Sequence, residues 1–285
     1  MKSLYKTEEG KRRIHQLYDK KLNELNIKYE YITVNTQFGK TTIIATGAKN
    51  NPPIILVHGS NGCAPIALET YRNLDKSYRV YAVDVLAQPN KSAETRLSMK
   101  DHSYGEWMNE IISELHLDAV TMAGFSFGGL VILKTLEFDE RRIKEVFLSA
   151  PAYIVNGNVL KTLFRVFIPM KRYMKTQKQK YVEQFLSHVF TERDPFAIDF
   201  LSEVFLEFEM DFTPVPVINS TNARKIKTPI NLIAAKQDIL FPGKKMLNRA
   251  RNIFPSLKHA VLLENSKHVQ TKSQNEQIEK MILES

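Results

Sequence analysis

Three side chains in this sequence could together turn a hydroxyl group into a nucleophile: Ser126, Asp238 and His268. An alcohol is a poor nucleophile at neutral pH, because its proton must leave before the oxygen attacks. An imidazole can accept that proton, and a carboxylate bound to the imidazole determines which ring nitrogen carries hydrogen. The three residues are far apart in the chain, so they can work together only if the fold brings them together.

Ser126 is the central residue of the pentapeptide G-F-S-F-G, which runs from Gly124 to Gly128. An apolar run, Ala119 to Ala123, precedes it, and apolar residues at helical spacing, Leu130 to Leu136, follow it. This order predicts a strand, a sharp turn and a helix, with the serine raised above the helix N-terminus. Because G-x-S-x-G occurs by chance in roughly one chain in ten of this length, an ordinary strand-to-helix turn is the alternative interpretation.

The elements that must position these residues are predicted from short apolar runs. Runs typical of strands buried on both faces are Ile54–Val57, Arg79–Val85, Glu145–Leu148, Pro229–Ala235 and His259–Leu263. Helical spacing is found at 8–25, Leu68–Leu74, Tyr104–Leu115, Lys244–Phe254 and 272–283. Before the first buried strand, a hairpin is predicted from Tyr29–Asn35 and Thr41–Thr46, with Gly39 at its turn. The alternation from Ile54 onward predicts an α/β fold, with a mostly parallel sheet covered by helices on both faces.

Residues 153–222 interrupt this alternation with helical segments and no intervening strand. The basic residues of this region precede its acidic residues along the chain. Apolar residues at helical spacing give its first helix one apolar and one basic face: Leu160, Leu163, Phe164, Phe167 and Ile168. We expect the apolar face to pack on the body of the protein, with the basic face near the acidic half. A helix lying in a membrane surface is the alternative.

Length and composition limit the class of protein. The chain has 285 residues, 43% of them hydrophobic, which suits one large domain or a domain with an insertion. No apolar run is long enough for a transmembrane helix, and no secretory signal is recognisable. A single cysteine, Cys63, excludes an intramolecular disulfide and a cysteine-based zinc site, so a cytoplasmic location is expected. The net charge of +9 permits anionic partners, but no nucleic-acid-binding motif is found.

The order of Ser126, Asp238 and His268, with His58-Gly59 upstream, resembles the α/β-hydrolase fold superfamily. Among its members, the sequence is most similar to bacterial carboxylesterase-like enzymes with a helical cap. The resemblance covers the chain from about Ile32 to the C-terminus. The domains that it implies are an N-terminal helical extension at 1–28, an α/β-hydrolase core at 29–152 and 223–285, and a helical cap, or lid, at 153–222.

The resemblance also implies a role for each candidate residue. Ser126 would be the nucleophile, His268 the general base and then acid, and Asp238 the carboxylate that orients the imidazole. The backbone N–H groups of Ser60 and Phe127 would form the oxyanion hole. Two alternatives remain for these residues: His268 as an exposed loop histidine, and Asp238 as a helix cap.

Three further residues near the candidate site are expected to have structural roles, and a fourth affects the conformation of its loop. His58 is expected to hold the oxyanion loop, and Asp84 to organise the loop after its strand. Cys63 is expected near the mouth of the site as a small packing residue. Ala87 stands where related proteins often have glycine, so the conformation of its loop is left open.

A serine at this turn predicts acyl transfer to water through an acyl-enzyme, and therefore a carboxylesterase for small to medium acyl esters, with no metal and no cofactor. Large apolar residues of the cap predict an apolar acyl pocket: Phe164, Phe167, Met170, Tyr173, Met174, Phe185 and Phe190. The expected partner is a small-molecule ester and not a nucleic acid. Weak association with a membrane surface is an alternative that is not favoured, and the oligomeric state is left open. A catalytically retired binding or signalling protein and a peripheral membrane lipase-like enzyme are the other two classes.

Overall fold

The computed structural model describes residues 3–285, which form one sheet of eight strands with helices around it. The strands are β1 Tyr29–Thr36, β2 Gly39–Thr46, β3 Pro53–Val57, β4 Arg79–Val83, β5 Val120–Phe125, β6 Ile143–Ser149, β7 Ile230–Ala235 and β8 Leu257–Leu263. Their order in the sheet is β1-β2-β4-β3-β5-β6-β7-β8. The hairpin β1–β2 joins β4 in antiparallel pairing, and β4, β3, β5, β6, β7 and β8 are parallel. The predicted mostly parallel α/β fold is therefore confirmed.

Helices lie at or close to the positions predicted for them. They are α1 Glu8–Glu24, α2 Ala64–Thr70, α3 Ser103–Glu114, α4 Phe127–Phe138, α5 Val159–Thr162, α6 Ile168–Thr176, α7 Gln179–Val189, α8 Pro195–Glu207, α9 Ser220–Ala223, α10 Gly243–Ile253 and α11 Lys272–Leu283. The bounds Leu68–Leu74 are wrong, because α2 begins four residues earlier, with Pro65 in its first turn, and ends at Thr70. Within residues 3–285, no helix combines the length and apolar character needed to cross a bilayer.

Two apolar cores cover the two faces of the sheet. In β3, Ile55 and Val57 face the core that contains Trp107 of α3, whereas Ile54 and Leu56 face the other core. This alternation follows from the period of two in a β-strand. Helices α3, α4 and α10 cover the first face, and α1, α2, α8 and α11 cover the second. Because both faces are buried, the central strands are almost wholly apolar.

The helices α5 to α9 lie between β6 and β7, in the region predicted to be a cap. A π-helical turn, Leu163–Phe167, joins α5 to α6. The prediction that the apolar face of this first helix packs on the body is wrong for its first turns, where Leu160 is 64% and Phe164 63% exposed. The boundaries of the extension, core and cap stay a prediction.

The basic helix α6 packs against the acidic helix α8, but within residues 3–285 the carboxylates of α8 form no ion pair with the cations of α6. Arg13 of α1 instead donates to Glu203 at 2.8 Å and to Glu207 at 3.0 Å, both on α8. The acidic residues are thereby used to attach α8 to the N-terminal helix. The basic residues of α5 and α6 remain on the surface.

Candidate active site

Ser126 occupies the sharp turn between β5 and α4, as predicted. Its φ of 53° and ψ of −113° lie in a sparsely populated backbone region, which costs a non-glycine residue about 1–3 kcal/mol. Two backbone hydrogen bonds stabilise the turn: the Ser126 N–H donates to the Ser149 carbonyl at 3.0 Å, and the Ser126 carbonyl accepts from the Ala152 N–H at 2.9 Å. Gly128 is required here, because a Cβ at that position would lie 2.1 Å from the Val57 carbonyl oxygen.

Ser126, His268 and Asp238 form a continuous hydrogen-bonded chain. The Ser126 Oγ lies 2.9 Å from His268 Nε2, and His268 Nδ1 lies 2.7 Å from Asp238 Oδ2. The other carboxylate oxygen, Oδ1, accepts from the N–H groups of Leu240 at 2.7 Å and Phe241 at 3.0 Å. These two backbone donors orient the carboxylate toward the imidazole.

His268 and Asp238 each had an alternative interpretation, as an exposed loop histidine and as a helix cap. His268 is only 4% exposed, so its interpretation as an exposed loop histidine is wrong. Asp238 does bind backbone N–H groups ahead of α10, as a capping residue would, but its second oxygen contacts the imidazole. One carboxylate thus performs both tasks.

The loop that carries His268 is attached to the cap. The Val269 N–H donates to the Val189 carbonyl at 2.9 Å, and the Thr191 N–H donates to the Val269 carbonyl at 3.0 Å. The Thr191 hydroxyl also accepts from the Lys267 N–H at 2.9 Å. The imidazole itself packs between the rings of Phe125 and Phe241. The sequence carries no signal for this attachment, because hydrogen bonds made by backbone groups leave no pattern of residue types.

The two residues predicted to supply oxyanion donors, Ser60 and Phe127, line the same cavity as Ser126. Phe127 is the first residue of α4, so its N–H has no partner within the helix. The loop that contains Ser60 passes close to the nucleophile, since a Cβ added to Gly59 would lie 3.4 Å from the Ser126 Cβ. This arrangement brings both residues into the part of the cavity that contains Ser126.

The loop of Ser60 is held by side chains from two directions. His58 Nδ1 donates to the Gly59 carbonyl at 2.8 Å, and the Asn61 N–H donates to Gln88 Oε1 at 2.7 Å. The Asn61 backbone is left-handed, with φ at 57°, so the bond from Gln88 stabilises a strained position. Gln88 is a residue that the sequence did not identify, and its only signal was a polar side chain in the loop after β4.

His58 and Asp84 are buried and have the structural contacts expected of them. His58 Nε2 accepts from the Val85 N–H at 3.0 Å, and burial lowers the pKa of this imidazole to about 4. Asp84 accepts from the Ala64 N–H at 2.7 Å and from the Tyr18 hydroxyl at 3.0 Å. Burial raises the pKa of the Asp84 carboxyl to about 7.

Cys63 and Ala87 resolve two expectations about the loops. Cys63 is fully buried ahead of α2, directly after the cavity-lining Gly62, and packs in the second core as a small packing residue. Burial raises the pKa of its thiol, which removes the thiolate as a nucleophile. Ala87 has a φ of 54°, the left-handed conformation in which glycine carries no steric penalty.

The cavity beside Ser126 has a volume of about 1120 Å³. Four of the seven cap residues predicted for an apolar pocket line it: Phe167, Met170, Phe185 and Phe190. The other three do not, since Phe164 is mostly exposed and Tyr173 and Met174 pack in the core between cap and sheet. Within residues 3–285, no cluster of three or more His, Cys, Asp or Glu side chains has the arrangement of a metal site.

Residues 52–206, more than half of the chain, match the family model described as the alpha/beta hydrolase fold. The chain belongs to the α/β-hydrolase fold family. Family members place their nucleophile on a sharp strand-to-helix turn. Ser126 lies on such a turn, between β5 and α4.

Similar proteins of this family are known from Bacillus subtilis (strain 168). The uncharacterized carboxylesterase nap is 24% identical over 273 residues, which cover 90% of this chain and 86% of the relative. Carboxylesterase YbfK is 33% identical over 140 residues, which cover 49% and 47%. The crystal structure of naproxen esterase (carboxylesterase NP) from B. subtilis superposes with a TM-score of 0.84 at 22% identity, covering 98% of each chain. At that identity, the structural likeness supports the fold.

Proposed function

We propose that this protein is a serine carboxylesterase that hydrolyses small to medium acyl esters through an acyl-enzyme. The observation that carries the proposal is the hydrogen-bonded chain from Ser126 through His268 to Asp238 beside an apolar cavity. The relatives support it as well, since both B. subtilis proteins are named carboxylesterases.

In the first half of the reaction, Ser126 Oγ attacks the acyl carbon of the ester while His268 Nε2 takes the hydroxyl proton. Asp238 accepts a hydrogen bond from Nδ1 and stabilises the imidazolium that forms. The N–H groups of Ser60 and Phe127 donate to the tetrahedral oxyanion. As the intermediate collapses, the bond to the alcohol oxygen breaks, and the imidazolium gives its proton to the departing alcohol.

In the second half, His268 removes a proton from a water molecule, and the resulting hydroxide attacks the acyl carbon bound to Ser126. A second tetrahedral oxyanion forms in the same hole. Its collapse breaks the bond to Ser126 Oγ, which recovers the proton from His268, and the carboxylic acid leaves. The ester, water and these side chains supply every proton and electron pair that the two half-reactions require.

The substrate class follows from the cavity. Its volume of about 1120 Å³ slightly exceeds the range of about 300–1,000 Å³ for small-molecule sites. Phe185, Phe190 and Phe200 give it apolar walls. Space of this size holds an acyl chain of medium length together with the alcohol part of the ester. The cytoplasmic location expected from the single cysteine stays a prediction.

The proposal predicts that Ser126→Ala lowers kcat for a p-nitrophenyl ester by about 10⁶-fold, because the triad acts as a unit. His268→Ala should cost about as much. Thermal unfolding of Ser126→Ala should change little, since the hydroxyl contributes little packing. A matched control is Ser187→Ala, which removes an exposed cap serine and should retain full turnover.

An ester series from C2 to C12, measured with the wild type, tests the substrate class. We expect kcat/KM to be highest for short to medium acyl chains, because the volume of the apolar cavity limits the length that fits. A fluorophosphonate probe should label the wild type and not Ser126→Ala. Folded wild type that neither turns over esters nor reacts with the probe would contradict the proposal and favour a retired binding protein.

A further inference from the structure

The first turns of the cap expose apolar side chains that a globular protein normally buries. Val159 is 79%, Leu160 64%, Leu163 42% and Phe164 63% exposed. We call these four residues the α5 patch. They lie within two turns of chain around α5 and the π-helical turn. Contiguous exposed apolar side chains of this kind often mark a site of interaction.

Cations surround and follow the α5 patch. Seven exposed basic residues belong to the same stretch of cap: Lys161, Arg165, Lys171, Arg172, Lys175, Lys178 and Lys180. Within residues 3–285, none of them forms an ion pair with a carboxylate. In the acidic half of the cap, Glu183 pairs with Arg193 and Glu203 with Arg13, so neither of these carboxylates compensates the seven cations. The surface therefore presents apolar groups together with uncompensated positive charge.

The α5 patch is also part of the rim of the catalytic cavity. Val159, Thr162 and Leu163 line the cavity that contains Ser126. The side chains of Val159 and Leu163 are also exposed at the surface. Anything that covers the patch therefore lies against the opening of the cavity.

We propose that the α5 patch and its cations dock on the surface of an anionic lipid bilayer. The apolar side chains enter the headgroup region, and the lysine and arginine side chains bind lipid phosphates. Charge favours a bilayer over a second copy of this chain, because a symmetric dimer through the patch would bring the two sets of cations together. Docking in this way would place the cavity opening at the lipid surface. The inference goes beyond the proposed function, since surface binding requires no ester hydrolysis.

The proposal is tested by sedimentation with vesicles of phosphatidylcholine alone and of phosphatidylcholine mixed equally with phosphatidylglycerol. We expect the wild type to sediment with the anionic vesicles at low salt, to dissociate at high salt, and to leave the neutral vesicles unbound. Screening by salt weakens attraction between exposed charges, which explains the expected dependence. Wild type that does not sediment with anionic vesicles at low salt would overturn the proposal.

Two variants separate the apolar and the basic contributions. The double substitution Leu160→Ser/Phe164→Ser removes apolar area, and Lys175→Gln/Lys178→Gln removes two cations. Removing the two cations should weaken binding by about 30-fold, on the usual contribution of each cation near an anionic surface. Removing the two apolar side chains should weaken it by about tenfold or more, because less apolar area enters the headgroup region. All four side chains are exposed and none lines the catalytic cavity, so both variants should fold and keep wild-type turnover of a water-soluble ester.

Matched controls carry the same kinds of substitution outside the cap. Phe138→Ser removes an aromatic side chain that is 45% exposed, and Lys20→Gln/Lys28→Gln removes two exposed cations. Equal losses in the control and cap variants would overturn the proposal. So would a concentration-dependent dimer that Leu160→Ser/Phe164→Ser dissociates, because the patch would then bind a second copy. Turnover in vesicle-free buffer reports separately on the proposed esterase activity.

Discussion

At the scale of single residues, Ser126 shows how a strained backbone is retained at a site of chemistry. Its left-handed φ is opposed by sterics, yet the turn is held by backbone bonds to Ser149 and Ala152. The same turn leaves the Phe127 N–H unpaired beside the hydroxyl. The strain is therefore coupled to two requirements of acyl transfer, an accessible hydroxyl and a free donor.

His58 and Asp84 are buried ionisable residues on adjoining loops, and their pKa values shift in opposite directions for the same physical reason. Burial disfavours the charged form, so it lowers the pKa of the imidazole to about 4 and raises that of the carboxyl to about 7. Between about pH 4 and 6.5, the folded protein carries one proton on Asp84 and none on His58. The unfolded chain carries one on the histidine and none on the aspartate, so the two effects on stability cancel.

We predict that replacing either residue reveals the pH dependence of the other. In His58→Gln only Asp84 remains, and its stabilisation is lost as pH rises toward 7, so the unfolding free energy falls relative to wild type. In Asp84→Asn only His58 remains, and its stabilisation is lost as pH falls toward 4, so the unfolding free energy rises with pH. Each slope should be about 1.4 kcal/mol per pH unit. Urea unfolding from pH 4 to 6.5 measures both, and curves parallel to that of wild type would contradict the prediction.

At the scale of elements, the cap and the histidine loop are one connected structure. The segment after α7 pairs with the loop through Val189, Thr191 and Val269. His268 immediately precedes Val269, so the position of the imidazole depends on contacts made in the cap. A movement of the cap at this point would displace the imidazole from the serine hydroxyl.

We predict that Thr191→Val lowers kcat while KM changes less. Valine has nearly the same shape, but it cannot accept from the Lys267 N–H or donate to the Val269 carbonyl, as the threonine hydroxyl does. At about 1 kcal/mol for each of the two hydrogen bonds, kcat should fall by up to about 30-fold as the loop samples other positions. Thr176→Val is the control, because that cap hydroxyl bonds only to Arg172 and Lys178 of the cap and does not contact the histidine loop. Steady-state kinetics of both variants distinguish the loop from a general effect of the cap.

At the scale of the whole molecule, the N-terminal segment joins the cap to the sheet. The Lys6 N–H donates to the Glu207 carbonyl at 2.8 Å, and the Glu209 N–H donates to the Leu4 carbonyl at 2.7 Å. From the same segment, the Tyr18 hydroxyl reaches Asp84 at the end of β4. The segment thus contacts the structures on both sides of the cavity.

We predict that α1 unfolds together with the sheet. Ile14→Ala creates a cavity at a fully buried position and should lower the unfolding free energy by about 2–5 kcal/mol. Trp107 is the single tryptophan and lies in the opposite core, so its fluorescence reports on the sheet rather than on α1. The denaturation midpoint seen by Trp107 should shift with that seen by circular dichroism. If the denaturation midpoint seen by Trp107 did not change in Ile14→Ala, α1 would unfold as an independent unit. The control is Gln16→Ala, on the exposed face of α1, which should leave both midpoints unchanged.

Much of the fold and the candidate site could be predicted because their signals are local. Apolar runs with a period of two or near 3.6 placed the strands and most helices within a few residues, and G-F-S-F-G placed Ser126 at its turn. Strand order then put Asp238 and His268 at the same edge, since parallel strands end on one side of a sheet. The prediction that Phe164 packs on the body of the protein was wrong because it concerned a contact between remote segments. An apolar face of a helix does not show whether another element covers it.

The sequence by itself determined the class of fold, the turn that carries Ser126, and the positions of Asp238 and His268 at the same edge of the sheet. It could do so because short-range periodicity and the direction of parallel strands follow from the order of residue types. Only the tertiary structure decided which surfaces meet. In the folded protein, Arg13 pairs with the acidic residues of α8, and the cations of α5 and α6 have no carboxylate partners within residues 3–285. The loop of His268 is hydrogen-bonded to the cap. Contacts of this kind depend on distances between elements remote in the chain, and the residues on one side do not encode what stands on the other.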